Sequence, residues 1–106
     1  MSWLGLEAIQ SLAARVSADF AKQCPVEVLS SESKERVAKK LHAALGTVDS
    51  NILTFLATNP YPGLVKKAVC ANKVKWGLIE RGYPKDVVSE VTQKVVLGLF
   101  RPPKKP

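Results

Sequence analysis

The sequence predicts an all-α protein: a single compact domain of about five helices over residues 1–100, followed by a short, disordered basic tail at residues 101–106. Three observations predict it. Apolar side chains recur at three- and four-residue steps through most of the chain, the period of one helix face. Proline and glycine punctuate the places where one apolar stripe ends and the next begins. A length of 106 residues with 46% hydrophobic composition suits one core, and a chain of this size buries roughly two-thirds of its unfolded surface.

The elements follow in order. Leu6, Ile9, Leu12, Ala13, Val16 and Phe20 share one stripe, and Pro25 ends that first helix. Ser30, Ser31 and Ser33 offer N-cap oxygens for a second helix, Glu32 and Glu35 suit its positive end, and Val37, Leu41 and Leu45 continue the stripe to an expected stop at Gly46. Asp49 is placed to cap a short third helix carrying Ile52, Leu53, Phe55 and Leu56. Asn59-Pro60-Tyr61-Pro62-Gly63 must then be a stiff turn.

Leu64 to Arg81 reads as the fourth helix, with Leu64, Val65, Ala68, Val69, Trp76 and Ile79 as its apolar face. Gly82 is the expected left-handed residue that ends it, with Tyr83 packing back on Leu78 and Pro84 starting the next helix. In the fifth segment, Lys85 to Phe100, Val88, Val91, Val95 and Leu99 stand at helical steps. Its β-branched residues between Val87 and Val96 would also tolerate a strand, and the spacing favours helix. The tail Arg101-Pro-Pro-Lys-Lys-Pro cannot propagate a helix and carries no apolar anchor.

Charge is segregated along the chain. The net charge is +7, yet residues 1–62 hold six Lys/Arg against six Asp/Glu, whereas residues 63–106 hold ten against three. In the second helix Glu32 faces Arg36 and Glu35 faces Lys39 at i,i+4, ordinary helix decoration. In the fourth, Lys66, Lys67, Lys73, Lys75 and Arg81 have no carboxylate three or four residues away. At about 100° per residue, Lys66, Lys67, Lys73 and Arg81 fall in one arc with Cys70 and Gly77 between them. Small residues in a basic stripe let an anionic partner come close.

Several classes of function are excluded or disfavoured. No apolar run reaches the ~18–20 residues of a membrane span. Arg15 is the first basic residue and Glu7 lies inside any would-be leader, so no secretory signal is expected. Cys24 and Cys70 stand far apart without a Cys-x-x-Cys pair, which fits reduced thiols and a cytoplasmic protein. No phosphate-binding glycine loop, nucleophile elbow or paired-histidine metal motif occurs, and no cofactor or metal is expected. His42, the sole histidine, sits at the edge of an apolar stripe and reads as a partly buried packing residue rather than a catalytic one. Lys66 and Lys73 would favour a Cys70 thiolate if the sulfur were exposed; a small buried hydrophobe is the reading preferred.

Leu78-Ile79-Glu80-Arg81-Gly82-Tyr83-Pro84, followed by Val88 and Val91, resembles a repeat unit of RecX-type recombination regulators, which stack three-helix repeats with an Arg-Gly-aromatic turn. The resemblance implies a helix pair joined at Gly82. Those regulators carry several such units, and this chain shows one.

The expected function is that of a small, non-catalytic binding or regulatory protein. Its first expected partner is the phosphate backbone of a nucleic acid, met by Lys66, Lys67, Lys73, Lys75, Arg81 and Lys85 and by a flexible arm of Arg101, Lys104 and Lys105. The alternative is a protein-interaction module, adaptor or inhibitor, whose basic helix docks on an acidic protein surface with Trp76 and Tyr83 as aromatic contacts. Apolar surface on Trp3, Leu4 and Phe100 also permits a homodimer.

Overall fold

Every regular element among the described residues is helical. The computed structural model describes residues 3–59 and 62–100, with side chains from residue 6 onward. The elements are α1 (Trp3–Gln23), a single turn α2 (Val28–Ser31), α3 (Lys34–Thr58), α4 (Leu64–Glu80) and α5 (Lys85–Leu99). Helix α1 packs on α3 and α4, and α5 packs on the same two, so the four long helices close a ring in the order α1, α3, α5, α4. No helix is long and apolar enough to cross a membrane, among the described residues. The basic tail, Tyr61 and the Trp3 and Leu4 side chains lie outside what is described.

The α1 stripe forms as its periodicity predicts, with Ile9, Leu12, Val16 and Phe20 wholly buried. After Pro25 the chain makes the α2 turn, and Ser33 then caps α3 by accepting a hydrogen bond from the Arg36 backbone N–H at 3.3 Å. The expected stop at Gly46 does not occur. The predicted second and third helices are one helix, and Asp49 lies inside it rather than at a cap. Ala44, Val48 and Ile52 are buried at four-residue steps across the glycine, so continuing the helix keeps one stripe in the core. That burial outweighs the roughly 1 kcal/mol a mid-helix glycine costs. Nor does Glu32 pair with Arg36: lying just before the helix, its carboxylate reaches forward to the Lys40 ammonium at 3.0 Å.

The joint between α4 and α5 turns at a left-handed Gly82, as the sequence predicts. Gly82 has φ +92°, its N–H donates to the Ile79 carbonyl at 3.0 Å, and the Tyr83 N–H donates to the Leu78 carbonyl at 3.2 Å. This pair of bonds satisfies the carbonyls that a helix end leaves open. The Tyr83 side chain then turns inward. Its ring meets Phe20 edge-on at 5.4 Å between centroids, and its hydroxyl donates to the Cys24 carbonyl at 2.7 Å. One turn thus ties the C-terminal helix pair to the end of α1. The fifth segment is helical throughout, with Val88, Val91, Val95 and Leu99 buried, and Gly98 lets α5 approach Ile52 of α3 closely.

Candidate interaction surface on the fourth helix

Helix α4 is turned the opposite way from its predicted orientation. The side chains that enter the core are Cys70, Ala71, Val74 and Leu78. The stripe read as its apolar face points outward: Leu64 is 69% exposed, Val65 71%, Trp76 53% and Ile79 40%. Only Val69 of that stripe rests partly against the core. The helix carries two apolar stripes, and the narrower one wins because its smaller residues allow close approach to α1. A Cβ on Gly77 would stand 3.0 Å from Ser17 Oγ, so a larger residue there would force the serine side chain aside by a few tenths of an ångström. The signal missed in the sequence was Cys70, Val74 and Leu78 at four-residue steps, which bulk and aromaticity elsewhere on the helix obscured.

This rotation redistributes the basic residues. Lys73 and Lys75 are about 160° apart around the helix, so they edge the exposed apolar stripe on opposite flanks. On the α1 flank, Lys73 and Arg81 overlook a shallow groove of about 270 Å³ with Gln10, Ala13, Ala14, Ser17 and Gly77 in its walls. On the α5 flank, Lys75 and Lys85 line a second groove of about 730 Å³ between the two helices. Lys66 and Lys67 are half-buried. The Lys67 ammonium sits 4.5 Å above the Phe100 ring, a cation–π contact that ties the start of α4 to the end of α5. The Lys75 ammonium lies 5.9 Å from the Trp76 ring.

The predicted basic arc is therefore not a continuous stripe. Cys70 and Gly77, expected between its lysines, face the interior. Arg101, Lys104 and Lys105 lie outside the described residues. Of the two aromatic candidates, Trp76 is exposed, while Tyr83 is only 6% exposed and its ring is committed to Phe20 and Cys24.

The chemistry available elsewhere is limited. Burial pushes the Cys70 thiol up to about 12, so it is a neutral, inward-facing hydrophobe and the flanking lysines do not activate it. Cys24 is also a free, buried thiol whose proton is held more tightly by burial, the Lys40 charge opposing in part. His42 is exposed on α3 rather than partly buried against the core. Among the described residues, no three His, Cys, Asp or Glu side chains gather to hold a metal ion. Compared with known proteins, the chain matches no family model, no curated protein and no solved structure.

Proposed function

We propose that this protein is a small non-catalytic interaction module that receives an acidic, amphipathic protein segment on the outer face of α4. One observation carries the reading: Leu64, Val65, Trp76 and Ile79 stand in water on a single helix face while lysines line both its flanks. Large apolar side chains exposed at both ends of one helix face, with Ala68 and Asn72 exposed between them, mark a contact surface, since fully burying each is worth about 1.5–3 kcal/mol. An apolar centre containing Trp, with charges at the rim, is the usual layout of a protein contact. The charge selects the partner. A second copy of the chain would bring lysines against lysines, whereas carboxylates on an acidic helix would meet Lys73 and Lys75 as the apolar residues pack. The reading places the protein in the reducing cytoplasm, in keeping with the unpaired Cys24 and Cys70.

Nucleic-acid backbone binding is the second reading, favoured by one feature. Lys73 and Arg81 flank the α1–α4 groove, whose Ala13, Ala14, Ser17 and Gly77 walls are low enough for a phosphate to come close. Titrating the protein with a model acidic amphipathic helix and, separately, with unrelated oligonucleotides across a salt series distinguishes the two. The first reading predicts saturable peptide binding that moves the Trp76 indole resonance and is lost in Trp76→Ala with Val65→Ser. Oligonucleotide binding with a log-affinity salt slope near −4, roughly the neutralisation of four or five phosphates, would replace it if Lys73→Glu with Arg81→Glu abolished the binding and Trp76→Ala left it intact.

A further inference from the structure

The groove between α4 and α5 has properties that a protein-docking face does not require. It holds about 730 Å³, within the roughly 300–1,000 Å³ range of small-molecule sites. Ile79, Tyr83 and Val88 give it an apolar lining, Ser89 and Gln93 edge it, and Lys75 and Lys85 contribute one ammonium-bearing side chain from each helix. Thr92 lines the same groove, and its Oγ1 is shielded from water yet makes no hydrogen bond. A helical threonine normally bonds a carbonyl of the preceding turn. The Thr92 oxygen has no accessible surface and lies behind the groove wall, so the polar groups a ligand meets here are Ser89, Gln93 and the two lysines, all of them exposed.

We propose that this groove binds a medium-chain fatty acid or a similar monocarboxylate with an extended apolar body. The span from Lys85 to Gln93 along α5 is about 12 Å, which sets the length of chain the groove accommodates. The apolar body lies on Ile79, Val88 and the outer edge of the Tyr83 ring. Its carboxylate takes hydrogen bonds from the Lys75 and Lys85 ammoniums, the cationic groups of the lining among the described residues. A neutral hydrocarbon would give Lys75 and Lys85 no counter-charge, and a cationic amphiphile would be repelled by them.

Calorimetric titration of the full chain with decanoate, with its methyl ester and with phosphatidylglycerol vesicles tests this. Decanoate should bind with one-to-one stoichiometry and the ester at least about tenfold more weakly, a difference of about 1.4 kcal/mol. Ser89→Phe, a change at an exposed position that fills the groove, should abolish decanoate binding, and Gln93→Trp should do the same from the other end. Lys75→Glu with Lys85→Glu should weaken it at least tenfold. The proposal is overturned if decanoate does not saturate, if the ester binds equally well, or if both groove-filling variants bind as the parent does. Vesicle binding that survives Ser89→Phe, without binding of free decanoate, would mean that the net charge attracts an anionic surface and the groove takes nothing. Because these variants leave Trp76 and Val65 in place, the result is independent of whether the outer face of α4 docks a protein.

Discussion

At the level of single residues, a few side chains fix how the helices meet. Gly82 adopts a left-handed backbone at φ +92° that an L side chain enters only at a cost. Gly82→Ala should therefore destabilise the fold by about 1–2 kcal/mol, read as a lower urea midpoint with an unchanged slope. Thr92→Val should do the reverse, since it removes a buried hydroxyl without a partner; a gain of about 1 kcal/mol is expected, visible as a higher melting temperature. The Gly82-Tyr83 turn was legible from sequence because its signal is local, a glycine followed by an aromatic. The destination of the Tyr83 side chain was not, because Phe20 and Cys24 lie far away along the chain and only the assembled ring of helices brings them there. Buried thiols and phenol also set a pH response. Cys70 holds its proton up to about 12 in the folded state, against an ordinary value near 9, and burial raises Cys24 and Tyr83 in the same direction. The unfolded chain thus loses these protons first. Their contribution to stability is intact at neutral pH and drains away as pH climbs from about 9 toward 12. Urea midpoints should be flat near neutrality and fall in alkali, and Cys70→Ala should lessen that fall; a midpoint insensitive to alkali would contradict it.

At the level of elements, two helices show where sequence periodicity succeeds and where it runs short. Helix α1 has one apolar stripe, and that stripe is buried as its spacing predicts. Helix α4 has two, and local spacing cannot rank them because the choice depends on what α1 presents. Ser17 opposite Gly77 favours the slim stripe, leaving the bulky one outside. Helix α3 shows a different limit. Gly46 looks like a terminator by itself, but Ala44, Val48 and Ile52 hold one register across it, so core burial overrides its intrinsic preference. A Cβ placed on Gly46 would meet nothing within 4 Å. Gly46→Ala should therefore stabilise the protein by about 0.5–1 kcal/mol, measured by chemical denaturation; a loss of stability would indicate a real break in α3.

Across the whole molecule, the sequence places the +7 charge in the C-terminal part, and the fourth helix divides its share between two flanks, Lys73 and Arg81 on one and Lys75 on the other, not in one stripe. Composition revealed the sign of the molecule's own charge. The division of that charge around an apolar centre became visible only once the ring of helices fixed the rotation of α4. A phosphate backbone needs cations converging on it, while an acidic amphipathic helix needs an apolar strip with cations to either side, and the second description fits α4 better. The most direct test is collisional quenching of Trp76 fluorescence in a Trp3→Phe background, comparing iodide with caesium at matched ionic strength. An indole standing in water within a positive field should be quenched readily, and by iodide several-fold more than by caesium. An indole shielded from both ions, or quenched equally by each, would contradict an outward, lysine-flanked apolar face and remove the physical basis for the acidic partner.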